Sequence, residues 1–227
     1  MDLSMLTFAT NEDIAIRASA DLPLICPREQ TIASGSDGAF RPGDVWTLRS
    51  STVDFSTQGV LSGQVIQLTR PTQLGARSPS QLFMIDSVGP FSVTLRRQGE
   101  GPLKGDPPAP TSGLTGVQFR VMTLAPQIVL AGQTLDQRFG LGNRLADGPG
   151  VDPNSARILT DAVVLLVLSR QYLAVSQSGA GQPDLFATKA AYYQAEFNDL
   201  IARFIVRGDN ETSRWSVPPA FGTRLSR

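Results

Sequence analysis

The stretch Ile158-Leu159-Thr160-Asp161-Ala162-Val163-Val164-Leu165-Leu166-Val167-Leu168-Ser169-Arg170-Gln171-Tyr172-Leu173 decides how this chain folds. It contains no glycine or proline and is apolar on nearly every face of a helix, so it must be covered on most sides, by its own bundle or by another subunit. Asp152-Pro153 forms a cap and first-turn pair, which predicts a helix over 155–178. Gly179-Ala180-Gly181 then makes a turn, and Pro183-Asp184 opens a second helix over 184–206. In that helix Phe186, Ala190, Tyr193, Phe197, Leu200, Ile201 and Phe204 fall on one stripe, and Asp199 and Arg203 are spaced for an i,i+4 pair. The two segments read as an antiparallel hairpin.

Downstream of the hairpin the character changes. Residues 207–227 are polar but keep Trp215, Phe221 and the arginines Arg207, Arg214, Arg224 and Arg227. Such a segment lacks the apolar content to offset its chain entropy, so it reads as an extended arm that orders on a partner. Trp215 and Phe221 either pack back onto the chain's own domain or anchor a partner, since Trp and Arg are the side chains that most often anchor interfaces.

Upstream, Thr123 restarts helical spacing, with Pro126 in the first turn, Ile128, Ala131, Leu135 and Phe139 on one face, and Gly140 at the end. Between Ala33 and Met122 the period is that of strands: Val45-Trp46-Thr47-Leu48, Val53-Asp54-Phe55, Gln64-Val65-Ile66-Gln67-Leu68, Leu82-Phe83-Met84-Ile85, Ser92-Val93-Thr94-Leu95-Arg96 and Val117-Gln118-Phe119-Arg120-Val121. Six short strands punctuated by glycine and proline predict a small antiparallel barrel or sandwich. Gly35-Ser36-Asp37-Gly38 reads as a turn and Gly99 to Gly116 as a long loop. At the N-terminus Thr10-Asn11-Glu12-Asp13 is a capping box opening a helix over 11–21, with Ile14, Ala18 and Leu22 as its stripe.

The expected architecture is α+β: a helical core of about four helices, an inserted small antiparallel β-barrel or sandwich, and an extended C-terminal arm. Its boundaries fall at 1–32 for the first helix of the helical domain, 33–122 for the β-insertion, 123–206 for the remaining helices and 207–227 for the arm.

Composition narrows the function. Lys+Arg and Asp+Glu both number 20, so no net charge draws the protein to nucleic acid or to an acidic membrane. Nothing at Met1-Asp2-Leu3-Ser4 resembles a signal peptide, and the apolar run Ala162 to Leu168 falls short of a bilayer's thickness, so no membrane is expected. Histidine is absent, which removes Ser-His and Cys-His catalysis and histidine-bound metals. Cys26 is the only cysteine and reads as a buried structural thiol. No phosphate-cradling glycine loop is present. Paired carboxylates such as Asp54 with Asp86 have the residue types for glycoside hydrolysis but read as polar-face or strand-end groups, while Asp147 and Asp152 are too sparse for a Mg or Ca site. Arg96-Arg97 reads as a solvated strand end and Lys189 as part of a solvated helix face. No catalytic residue, cofactor or metal is expected.

The capped helix from Thr10 to Leu22, Thr123-Leu124-Ala125-Pro126-Gln127-Ile128, Gln137-Arg138-Phe139-Gly140, Leu168-Ser169-Arg170-Gln171-Tyr172 and Lys189-Ala190-Ala191-Tyr192-Tyr193 together resemble the helical head–tail connector (adaptor) proteins of tailed bacteriophages. The likeness covers about half of the chain and rests on element order. It implies a homo-oligomeric ring, commonly of twelve subunits, beneath the portal protein and above a downstream tail or nozzle protein. DNA would pass through its centre without sequence-specific binding. The implied location is the head–tail interface of a virion assembled in the host cytoplasm. Transferred to this chain, the arm residues Arg214, Trp215, Phe221, Arg224 and Arg227 meet the portal, and Leu165, Leu166, Tyr172, Tyr193 and Phe197 of the hairpin pack subunits together. The alternatives are another phage tail-completion or stopper protein, or a carboxylate-dependent cell-wall glycosidase.

Overall fold

The computed structural model describes residues 8–44, 46–69, 81–99, 113–139, 153–178, 183–203, 206–207 and 214–215. The chain divides into two compact units, Thr10–Ala125 and Met1–Ala9 with Pro126–Arg227.

The first unit opens with helix α1 (Asn11–Ala18), where the Thr10 hydroxyl accepts from the Asp13 amide and the Asp13 carboxylate accepts from the Thr10 amide at 2.7 Å, closing the expected capping box. The helix ends earlier than expected. Pro23 is tolerated in the first turn of a separate short helix, α2 (Leu22–Ile25), and a single 3-10 turn (Arg28–Gln30) leads into the sheet. Ile14, Ala18 and Leu22 are buried, as the stripe required.

Six strands follow: β1 (Thr31–Phe40), β2 (Thr47–Arg49), β3 (Val65–Thr69), β4 (Gln81–Gly89), β5 (Ser92–Arg96) and β6 (Val117–Met122). They close into an antiparallel barrel in the order β1-β2-β5-β4-β3-β6, with β6 paired back onto β1. Alternation directs Ile66, Leu68, Phe83, Ile85, Leu95, Phe119 and Val121 into the barrel, where Phe55 and Phe119 meet at 5.4 Å between ring centroids. Val65, Met84 and Met122 alternate with those residues, yet they are buried too. Helix α1 packs beside β3 and supplies a second apolar layer on the outside of the barrel.

Two strand expectations are corrected. Val53-Asp54-Phe55 is not a strand; it lies in the long β2–β3 connection, where the Phe55 amide donates to Pro90 O. The sixth strand is instead β1, which runs straight through Gly35-Ser36-Asp37-Gly38, a segment with the composition of a turn. Its glycines serve packing: a Cβ on Gly35 would lie 2.6 Å from Phe119 Cζ, and one on Gly38 would lie 2.6 Å from Val117 O. The pairing shifts register between those two glycines, so the strand bends through a bulge around the aromatic core.

The first helix also falls differently from the expected division, which placed 1–32 with the helical domain. Helix α1 belongs to the barrel unit because its polar side chains are used there. Asn11 Nδ2 donates to Gly63 O at 3.2 Å, and Asn11 Oδ1 accepts from the Leu124 amide at 2.7 Å. The Glu12 carboxylate grips Arg96 through both oxygens and accepts from the Gly99 amide at 2.7 Å.

The second unit contains α3 (Ala125–Phe139), α4 (Pro153–Gln177) and α5 (Pro183–Arg203), close to their expected spans. Helices α4 and α5 form the expected hairpin. Leu159 and every residue from Ala162 to Ser169 are buried. By length and composition alone Ala156–Gln177 is apolar enough to cross a membrane, a test that the uninterrupted run of seven did not capture. Most of that stretch is already covered by the unit's own side chains. The Thr160 hydroxyl donates to Phe8 O, fastening the N-terminal segment to α4. The C-terminal arm is not extended throughout. Val206–Arg207 (β7) and Arg214–Trp215 (β8) pair antiparallel, and 208–213 and 216–227 lie outside the described residues.

Candidate partner-binding surfaces

The hairpin residues expected to pack neighbouring subunits are used inside the unit. Leu165, Leu166, Tyr172 and Phe197 are buried and Tyr193 is half-buried. Tyr172, 1% exposed, stacks between Phe186 at 6.0 Å and Tyr193 at 5.5 Å, with the Lys189 ammonium 5.5 Å from its centroid. Lys189 thus packs over an aromatic ring rather than only solvating a helix face. A polar bridge runs alongside: Ser169 Oγ donates to Gln194 Oε1 at 3.1 Å, and Gln194 Nε2 donates to Asn198 Oδ1 at 3.1 Å. The Arg170 guanidinium ties α4 to α3 through Thr134 Oγ1 at 3.2 Å.

What this unit leaves outside is a different set. Leu130 on α3, Leu173 on α4, and Leu185 and Tyr192 on α5 are all exposed, Tyr192 at 57%. The stripe reading passed over Tyr192 because it sits one position from Tyr193, about 100° away around the helix. It remains connected to the interior, since its ring meets Tyr193 edge-on at 5.3 Å. Of the arm residues, Arg214 and Trp215 lie on β8, opposite Arg207 and Val206. Phe221, Arg224 and Arg227 lie outside the described residues, as do Asp147 and Asp152.

The groups considered for chemistry are engaged elsewhere. Cys26 is buried, with Sγ 3.8 Å from Thr123 O, and burial pushes its thiol up to about 11 despite the nearby Arg120. Asp54 accepts from the Ser56 hydroxyl at 2.7 Å and from the Thr57 amide, which holds its carboxyl below the usual range. Asp86 lies 3.9 Å from Arg96 Nε. The two carboxylates of the considered glycosidase pair thus each have separate partners. Arg96 is no solvated strand end: its hydrogen bonds to Glu12 raise its own affinity for the proton and lower that of Glu12. Asp37 is another group the turn reading missed. Burial works against its charge, but Ser50 and Ser51, then Thr52, outweigh this with hydroxyl and amide donors and hold it far below the usual range. The signal was the hydroxyl run Ser50-Ser51-Thr52, whose partner is remote in sequence. Among the described residues no three Cys, Asp or Glu side chains converge on a metal position.

Compared with known proteins, the chain matches no family model, no curated protein and no solved structure.

Proposed function

We propose that this chain is a structural subunit of a bacteriophage head–tail connector, an adaptor that assembles as a homo-oligomeric ring beneath the portal and joins capsid to tail while DNA passes through. The observation that carries the reading is a helical unit whose core is complete in itself while Leu130, Leu173, Leu185 and Tyr192 remain exposed. Large apolar side chains left on rigid helices suit burial against another subunit. The C-terminal segment is the portal grip in this reading, and Arg214 and Trp215 on β8 are the residues within the described structure that would serve it. The balanced charge suits a conduit that must release DNA, because dense phosphate contacts would hold it.

A second reading, a stopper or another tail-completion protein, is favoured by the closed six-stranded barrel, which exposes Leu61 and Phe91 in its β2–β3 and β4–β5 connections. Light scattering of the chain alone and mixed with portal protein tests the first reading. A ring, or a monomer that becomes a ring on the portal, is the expected result. A monomer that ignores the portal and instead binds tail protein would favour the second.

A further inference from the structure

Beyond the part of the barrel covered by α1, the outer faces of β1, β6 and β3 carry two cross-strand rows of hydrogen-bonding side chains. Register places Ser34 opposite Arg120 and Arg120 opposite Gln67 in one row, and Gln118 opposite Thr69 in the other, with Ser36 beside them across the bulge. These rows line a cleft of about 370 Å³. Its β1 wall is low because Ser34 and Ser36 are short, while Gly35 between them faces the barrel interior. Position 35 cannot be filled while the Phe119 ring lies beneath it, for a Cβ there would come within 2.6 Å of Cζ. The Arg120 wall is held in place: Nε donates to Thr31 Oγ1 at 2.8 Å and Nη1 to Pro23 O at 3.2 Å. Its Nη2 is out of reach of water and has no acceptor among the described residues. The guanidinium is thus a fixed edge of the cleft, and the hydroxyls and carboxamides beside it are the groups open to a ligand.

The lining chemistry selects the ligand. Hydroxyls and carboxamides each donate and accept, whereas the guanidinium only donates. Among the described residues no carboxylate lines the cleft, so its known lining does not suit a cation or an amine. Among the described lining residues Arg120 is the one charged group, too little positive charge for nucleic acid. The lining is too polar for a hydrocarbon. Adjacent donor–acceptor pairs on a pre-shaped strand surface match vicinal hydroxyl groups, and the volume fits one or two sugar rings. We propose that this cleft binds a neutral saccharide, with the carboxamides of Gln67 and Gln118 and the hydroxyls of Ser34, Ser36 and Thr69 pairing to ring hydroxyls. The proposal stands on the barrel alone and is independent of the connector reading.

The test is amide-resolved NMR of the full chain titrated with cellobiose, lactose and chitobiose, each to roughly 10 mM, the range expected for a shallow polar site. Shifts confined to the neighbourhood of Ser34, Gln67 and Gln118 are expected for at least one disaccharide. Gln118→Ala, at an exposed position and removing up to two hydrogen bonds to the sugar, should weaken that binding by about tenfold with unchanged melting temperature. Thr57→Ala, outside the cleft, should leave it intact. No shift with any of the three sugars, shifts elsewhere on the surface, or shifts at the cleft with inorganic phosphate but not with sugar would each overturn the proposal, the last by assigning an anion site to Arg120.

Discussion

Asn11 Oδ1 accepts the backbone amide of Leu124 at 2.7 Å, so one side chain of the first helix holds the final residues of the barrel unit, 113 positions later. The same oxygen accepts from Thr123 Oγ1 at 3.3 Å, and Nδ2 reaches Gly63 O. Asn11→Ala would strip Leu124 of its acceptor and Gly63 of its donor while leaving the Thr10–Asp13 cap in place. The expected loss is about 1–3 kcal/mol, the range for orphaned, partly buried polar groups. Urea unfolding checks it; a variant as stable as the parent would show that water replaces Asn11 without cost.

The bulged strand gives a sharper contrast. Gly38→Ala drives a methyl group towards the Val117 carbonyl, which is backbone and cannot swing away. Gly35→Ala meets the edge of a buried phenyl ring, which can tilt slightly. Both should destabilise by about 1–3 kcal/mol, as overpacking does, with Gly38→Ala the worse. Equal or reversed losses in thermal melts would mean that the strand relaxes around the bulge.

Acid should loosen the barrel unit. Glu12 and Asp37 both have folded pKa values below their unfolded ones, Glu12 because of Arg96 and Asp37 because of its hydroxyl and amide donors. The unfolded chain therefore takes up the protons first. Their stabilising contribution is fully present above the unfolded carboxylate range, near pH 4–4.5, and is lost as pH falls below it towards the folded values. Melting temperature should be flat from neutral pH down to about 5 and then decline, and Asp37→Asn should flatten the decline. A decline that Asp37→Asn leaves unchanged would locate the acid sensitivity elsewhere.

On the helical unit, stability and assembly should separate. Tyr172→Ala empties a stacked, buried position and should cost about 3–5 kcal/mol. Leu185→Ser with Tyr192→Ala alters exposed positions and removes only the edge-on contact with Tyr193, so it should cost no more than about 1.5 kcal/mol, while abolishing the oligomer proposed above. Light scattering with a melt distinguishes the two; an intact ring in the exposed double variant would move the interface off α5.

Cys26 should be silent towards thiol reagents in the native protein at pH 8 and react fully in denaturant, because burial both shields it and keeps it protonated. Rapid native labelling would mean that the segment around Cys26 opens readily.

Much of the fold was legible because it rests on local periodicity. The α1 cap, the α5 stripe and the β3, β5 and β6 segments each carry their own signal within a few residues. β1 was hidden because its glycine-rich sequence answers to Phe119 and Val117, which are distant in sequence and invisible to any local pattern. Val53-Asp54-Phe55 misled for the converse reason: Phe55 is apolar because it fills the barrel from a loop. The Glu12–Arg96 and Asp37–Ser50 links failed to announce themselves in the same way, since opposite charges and hydroxyls are common and only folding decides which of them meet. On the helical unit, periodicity located the side chains that fill the hairpin, such as Phe197, but gave no signal for Tyr192, which lies off that stripe and stays exposed.

Pairing β6 back onto β1 has one more effect, on crowding. A sheet that closes offers no unpaired strand for another sheet to join, whereas an open one exposes a row of amide and carbonyl groups. Many copies of this barrel can therefore be held side by side at high local density without zipping into one another, leaving side-chain chemistry to decide which contacts form.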